Sequence, residues 1–180
     1  MFPAIFLDRD GVLIENRSDY VRDWSQVMIF PEAIAALANP ILKNHKIVIV
    51  TNQSAVGRGL MSIESMHQIN QQLTNVICAA GGHISGIYAC PHLPEAHCSC
   101  RKPKPGMLLQ AAADLKIDVS RSWMIGDAWS DVLAGKAAGV RSLAILRTGR
   151  GSEQLLQSPP EHLGGYSVFN DLSQAISKIH

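Results

Sequence analysis

Short apolar runs that stop abruptly at polar residues recur along this chain and define its predicted elements. Ala4-Ile5-Phe6-Leu7 runs into Asp8-Arg9-Asp10-Gly11, the pattern of a buried strand that delivers carboxylates to the edge of a sheet. Pro31-Glu32 opens a helix, since proline is tolerated at the first helical position, and Ile34, Leu37, Ile41 and Leu42 give it an apolar face. Pro40 is expected to kink or divide it. Lys46 to Val50 is a continuous β-branched run, typical of a parallel strand covered on both faces, and it ends at Thr51-Asn52-Gln53-Ser54. Gly57-Arg58-Gly59 makes a break. Ser62 then caps a predicted helix to about Ala80, with Ile63, Met66, Ile69, Leu73, Val76 and Ile77 near one face and Gly81-Gly82 ending it.

Ile87-Tyr88-Ala89 reads as a short strand leading into a cysteine cluster. Met107 to Leu115 is a helical stretch, Ser122 to Ile125 a strand ending in Gly126-Asp127, and Ser130 to Ala138 a helix closed by Gly139. Ser142 to Leu146 and Ser167 to Phe169 read as strands, and Asp171 to Ile179 as a terminal helix capped by Asn170 or Asp171. This alternation predicts an α/β fold, a Rossmann-like three-layer sandwich with a mostly parallel sheet. Residues 1–180 are expected to form a single domain with a small loop, 90–100, inserted. Val12 to Phe30, charged and irregular, is too long for a simple turn and suits either a lid or substrate loop or a solvated excursion.

Three of the apolar runs end in polar groups whose chemistry is complementary, namely Asp8 and Asp10, Thr51 and Asn52, and Asp127. In parallel sheets ligands bind beyond the carboxyl ends of the strands, so these groups are expected to converge. Taken alone, the first octapeptide fits equally well a strand closing in an Asp-Gly turn. Taken together, three carboxylates, a hydroxyl and an amide, with positive charge from Arg101-Lys102-Pro103-Lys104, favour Mg²⁺ bound through carboxylates and a substrate phosphate. One aspartate can attack phosphorus while the other manages the leaving-group proton, with lysine and hydroxyl on the phosphoryl oxygens. That is phosphoryl transfer.

Composition narrows the partners. With 180 residues and 47% hydrophobic content, the chain can bury one sizeable core. Sixteen Lys and Arg against fifteen Asp and Glu predict no general attraction to nucleic acid or an anionic membrane, so an anion must be captured by a few placed groups. No apolar run approaches a membrane span, and Asp8 interrupts the first apolar segment too early for a secretion signal, so a cytoplasmic address is expected. Three of the four cysteines fall within eleven residues, which in a cytosolic chain argues for metal over disulfides. Cys90, His92, Cys98 and Cys100 supply three thiolates and one imidazole, a set that suits a closed, structural Zn²⁺ site, with His97 as a substitute ligand. Cys78 reads as ordinary core, Trp24, Trp123 and Trp129 as packing residues, with Trp129 close to Asp127. His45, His67, His83 and His162 are assigned no chemistry.

In order, Asp8-Arg9-Asp10-Gly11-Val12, Thr51, a lysine, and Gly126-Asp127 with Asp131 resemble the motifs of haloacid-dehalogenase-type phosphatases over most of the chain. The resemblance implies that Asp8 is a nucleophile that becomes an aspartyl phosphate and that Asp10 is general acid and then base. It also implies Mg²⁺ on Asp8, the backbone carbonyl of Asp10, and Asp127, with Asp131 orienting the site. More narrowly, Thr51-Asn52-Gln53-Ser54, Cys90-Pro91-His92 to Cys98-Ser99-Cys100, and Arg101-Lys102-Pro103-Lys104-Pro105-Gly106-Met107 are similar to the heptose 1,7-bisphosphate 7-phosphatases and, less closely, to the histidinol-phosphate phosphatases.

This narrower resemblance implies that Lys102 stabilises the phosphoryl group, with Lys104 the competing candidate, and that Arg101 recognises substrate. Arg17, Ser18, Asp19 and Tyr20, with Asn52, Gln53 and Ser54, would face the sugar. The resemblance implies a phosphatase with no large cap domain that removes the 7-phosphate of a heptose bisphosphate in heptose nucleotide and lipopolysaccharide core biosynthesis; a monomer is expected, though the sequence does not give the oligomeric state. Histidinol phosphate as substrate, or a non-catalytic phospho-acceptor module, are the alternatives. One departure stands out: some heptose enzymes carry a lysine after Gly-Asp, whereas here Ala128 follows, so a second phosphate is expected to be gripped differently, with Arg58, Arg147 and Arg150 as candidates.

Overall fold

The first strand, β1 (Ala4–Leu7), sends Ile5 and Leu7 into one apolar layer and Ala4 and Phe6 into the other, which is why its four residues are all apolar and all buried. Around it, the computed structural model describes residues 1–161 and 163–179; His162 lies outside the described residues. The chain continues through α1 (Pro31–Leu37), β2 (Lys46–Asn52), α2 (Ser54–Gly57), α3 (Ile63–Ala79), β3 (Gly86–Cys90) and α4 (Gly106–Leu115). It closes with β4 (Trp123–Gly126), α5 (Trp129–Ala137), β5 (Ser142–Leu146), α6 (Gly151–Gln154), β6 (Ser167–Phe169) and α7 (Leu172–Ile176).

The strands form one sheet in the order β3-β2-β1-β4-β5-β6, with every pairing parallel. Helices α1, α3 and α7 cover the face holding Ile5 and Leu7, and α4 and α5 cover the other, giving the expected three-layer α/β sandwich. The chain builds outward from β1 through β2 to β3, then returns to β1's other side with β4, so the winding reverses between β1 and β4. Such a switch point opens a crevice at the strands' carboxyl ends. Leu7 pairs with Ile49 on one side and Ile125 on the other, which places Asp8 beside the last residues of both neighbouring strands. Among the described residues no helix is long and apolar enough to cross a membrane.

Local chemistry explains the boundaries. Ser62 caps α3 by accepting the Ser65 N–H at 3.0 Å, and Asp171, not Asn170, caps α7 by accepting that of Gln174 at 2.7 Å. Pro40 divides the expected helix: α1 stops at Leu37, and Pro40–Asn44 forms a separate 3₁₀ turn capped by Asn39. Two short helices, α2 and α6, are too brief to leave a periodic signal, and α7 ends before the expected Ile179.

Cys78 corrects another expectation, because it is exposed. The buried stripe of α3 runs through Met66, Ile69, Leu73 and Ile77, and the residue after Ile77 is rotated about 100° away from it. Ile63, at the first helical position, is likewise exposed. The excursion after Gly11 is not wholly solvated: Val12, Leu13 and Ile14 are buried, and Ile14 bridges to both Asp10 and Ile29.

Candidate active site

Asp8 follows β1 directly and is almost fully buried. Its Oδ1 accepts the Arg9 N–H at 2.7 Å and lies 2.9 Å from Lys102 Nζ. That ammonium also sits 2.7 Å from Asp131 Oδ1 and donates to the Val50 carbonyl at 2.7 Å. Burial pushes the Asp8 carboxyl up to about 6; Lys102 pulls it down, while the Asp131 and Asp10 charges raise it further. Burial opposes the charge on Lys102, but Asp131 and Asp8 outweigh it and hold its pKa above the ordinary lysine value.

Asn52 delivers this lysine. Its Nδ2 donates to the Lys102 carbonyl at 3.0 Å and its Oδ1 accepts the Lys102 N–H at 3.1 Å, so one amide clamps both sides of the lysine's backbone to the end of β2. Lys104 points elsewhere, donating to the His97 carbonyl at 2.6 Å. The structure therefore brings Lys102, and not Lys104, to Asp8.

Asp10 is held by a different set. The Arg9 guanidinium grips it as a fork, Nε to Oδ2 and Nη2 to Oδ1, each at 3.1 Å. Gln53 Nε2 donates to Asp10 Oδ2 at 2.8 Å and to Thr51 Oγ1 at 2.9 Å, and the Thr51 hydroxyl stands 3.5 Å from Asp10. Arg9 is itself wholly buried and reaches Asn70 of α3 at 3.0 Å. Sequence reasoning gave Arg9 no role; the signal was a fixed cation standing between two acids.

Asp127, at the end of β4, is fully buried. Its Oδ2 accepts Asn16 Nδ2 at 2.5 Å and the Arg150 N–H at 2.8 Å. Burial raises its pKa and the Asp8 charge raises it further, against the lowering effect of Arg150. Two glycines make room for this carboxylate. Gly11 (φ +86°) and Gly149 (φ +55°) both take left-handed backbone, and a Cβ on either would collide with Asp127. Thr148 Oγ1 donates to the Gly11 carbonyl at 2.6 Å, tying the loop after β5 to the one after β1.

Asp8, Asp127 and Asp131 each offer a carboxylate oxygen, all within 4.8 Å of one another. Three buried acids share one ammonium, Lys102, which sits between Asp8 and Asp131, and the Asp8 charge raises the pKa of Asp127. Hard oxygen donors short of positive charge fit Mg²⁺. Both Asp131 oxygens are already engaged, Oδ1 with Lys102 and Oδ2 with the Ala128 N–H, which leaves Asp8 and Asp127 as the side chains best placed to hold the cation.

The four sulfur and nitrogen ligands expected for zinc also converge. The Sγ atoms of Cys90, Cys98 and Cys100 lie 3.2 to 3.6 Å apart, and His92 Nδ1 is 3.6 Å from Cys90 Sγ and 3.3 Å from Cys100 Sγ. These spacings are close to the ~3.8 Å edge of a tetrahedron with zinc–sulfur bonds of ~2.3 Å, so the set fits Zn²⁺. His97 is not in the cluster.

A cavity of about 300 Å³ opens over the acids. Arg17, Tyr20, Asn52, Gln53, Ser54 and Arg101 line it, whereas Ser18 and Asp19 do not; Asp19 pairs with Arg17 and Arg22 at the surface. The Asn52 and Gln53 amides are engaged with Lys102 and Asp10. Asn16, Ser130 and Arg150 join the lining, and of the three arginines considered for a second phosphate, Arg58 and Arg147 stay outside it. Trp129 is buried, packing edge-on against Tyr166 with its Nε1 donating to the Gln154 carbonyl.

Known proteins match this architecture. A family model for HAD-hydrolase-like proteins covers residues 99–175. The D-glycero-β-D-manno-heptose-1,7-bisphosphate 7-phosphatase of Neisseria meningitidis serogroup A is 34% identical over 178 residues, 96% of this chain and 93% of that protein. The protein of the same name from Pasteurella multocida is 40% identical over 156 residues, 83% of this chain and 84% of its own. The crystal structure of D,D-heptose 1,7-bisphosphate phosphatase from B. bronchiseptica, complexed with magnesium and phosphate, aligns with a TM-score of 0.90 at 31% identity, covering 97% of this chain and 96% of that one.

Proposed function

This chain belongs to the D-glycero-β-D-manno-heptose-1,7-bisphosphate 7-phosphatase family of haloacid-dehalogenase-like phosphatases, and on that footing we propose that it hydrolyses the 7-phosphate of a heptose 1,7-bisphosphate through an aspartyl phosphate on Asp8. The observation that carries this reading is the convergence of Asp8, Lys102 and Asp127 beside Asp10 and Thr51, at the switch point of a parallel sheet.

An ionised Asp8 oxygen attacks phosphorus. The bond from phosphorus to the sugar oxygen breaks, and Asp10 supplies the proton that the departing alkoxide needs. Asp10, then a carboxylate, takes a proton from water, whose oxygen attacks the acyl phosphate and frees Asp8 and inorganic phosphate. Lys102 and Thr51 hold the phosphoryl oxygens as charge accumulates. The Arg9 fork and Gln53 fix the position of Asp10 at the cavity wall. Mg²⁺, when held by Asp8 and Asp127, supplies charge neutralisation and in-line positioning.

Zn²⁺ on Cys90, His92, Cys98 and Cys100 would be structural, because four protein ligands leave no open position. It would fix the loop immediately before Arg101 and Lys102. The test is phosphate release by the purified protein with Mg²⁺, comparing heptose 1,7-bisphosphate with histidinol phosphate. Turnover of the first well above the second supports the reading, and the reverse preference overturns it.

A further inference from the structure

The cations around the cavity differ in how far they are already engaged. Lys102 bridges Asp8 and Asp131. The Arg17 guanidinium forks onto Asp19 with bonds of 3.0 and 3.1 Å, and Arg101 Nη1 donates to the His92 carbonyl at 3.3 Å. Arg150 is different. Its side chain is 55% exposed, and its guanidinium reaches Asp127 Oδ1 only at 3.5 Å, beyond good hydrogen-bond length.

Its backbone, in contrast, is fixed. The Arg150 N–H donates to Asp127 Oδ2 at 2.8 Å, Gly149 before it adopts a left-handed conformation against Asp127, and a Cβ on Gly151 after it would strike the Leu146 carbonyl. An anchored backbone carrying a guanidinium with one long contact suits a residue awaiting an anion. Arg150 arrives from the β5 side of the sheet and Arg101 from the loop after β3, so the two guanidinium-bearing segments flank β1 from opposite directions.

Resting on the heptose bisphosphate reading above, we propose that Arg150 is a specificity-determining residue that binds the phosphate left uncleaved, making the enzyme prefer bisphosphorylated sugars over monophosphorylated ones. The reacting phosphate is served by Lys102 and Thr51. A second phosphate adds close to two further negative charges to a cavity that already presents Asp8, Asp10 and Asp131, beside Asp127. It needs its own cation, and a guanidinium meets phosphate with two parallel N–H donors.

The test compares kcat/KM for heptose 1,7-bisphosphate and for heptose 7-phosphate in the wild type, Arg150→Ala, Arg150→Lys and Arg147→Ala. Any loss from disturbing Asp127 falls on both substrates and cancels in their ratio. The bisphosphate preference is expected to fall about 10- to 100-fold in Arg150→Ala, chiefly through KM, the effect of losing one charge-assisted contact. Arg150→Lys should recover part of it, and Arg147→Ala, outside the cavity, should keep the wild-type ratio. An unchanged ratio in Arg150→Ala, or an equal fall in Arg147→Ala, overturns the assignment. A wild type that ignores the bisphosphate overturns the parent reading instead.

Discussion

Lys102 Nζ and Asp131 Oδ1 are 2.7 Å apart, with each side chain only 1% exposed. The second Asp131 oxygen accepts the Ala128 N–H at 3.0 Å, so this carboxylate is fastened to the start of α5 and holds the ammonium within reach of Asp8. Asp131 therefore acts through Lys102. Removing one partner of a buried pair leaves the other charge uncompensated, so Asp131→Asn is expected to destabilise the protein by about 3–5 kcal/mol. It should also lower kcat by about 10²-fold as Lys102, the proposed phosphoryl-binding lysine, drifts. Denaturant melts and steady-state kinetics check this; wild-type kcat in the variant would show that Asp8 alone suffices to aim Lys102.

Asp8→Asn keeps the volume and the Arg9 N–H acceptor but removes the proposed nucleophile. Turnover is expected to vanish while circular dichroism and zinc content stay as in the wild type. Substantial residual phosphatase activity would rule out the covalent route. Asp10→Asn should instead slow both proton transfers, by about 10² to 10⁴ in kcat.

The attacking group must be ionised, and burial holds Asp8 at about 6 in the absence of a cation. For a raised carboxyl the ionised fraction is lost as pH falls through that value, so activity should decline on the acid side near pH 6. A divalent cation favours the carboxylate and draws its pKa down. The acid limb of the pH profile for kcat/KM should therefore move to lower pH as Mg²⁺ is raised. A limb that stays in place at all Mg²⁺ concentrations would remove Asp8 from the cation's ligands.

Most of this fold was legible because its central strands are buried on both faces and so read as uninterrupted apolar runs: Ser142 to Leu146 appears with the bounds expected of it, as does the more exposed edge strand Ser167 to Phe169. The acids at the strand ends were legible for the same reason, since polar groups there break the pattern. What stayed hidden depended on distant partners. Nothing local distinguishes Asn16, a hydrogen-bond donor to Asp127, from any other loop asparagine, and four-residue helices such as α6 carry no period. Cys78 was misplaced because adjacent helical positions share a face only loosely, and Ile77 had taken the buried one.

The cysteine loop makes the last prediction. Cys100 stands two residues before Lys102, and the chain between them has little apolar content with which to hold itself in place. Two restraints fix it: the convergence of Cys90, His92, Cys98 and Cys100, and the Asn52 clamp on the Lys102 backbone. If zinc closes the first, Cys98→Ser or removal by a strong chelator should free the loop, lower the melting temperature and reduce kcat by about 10²-fold, because a displacement near 1 Å is enough to misplace a phosphoryl-binding group. Added Zn²⁺ should restore both in the chelated wild type and neither in Cys98→Ser. Zinc stoichiometry, thermal melts and phosphate release measured on the same samples separate the cases: metal-free protein that keeps its melting temperature and its kcat would show that Asn52 alone aims the lysine.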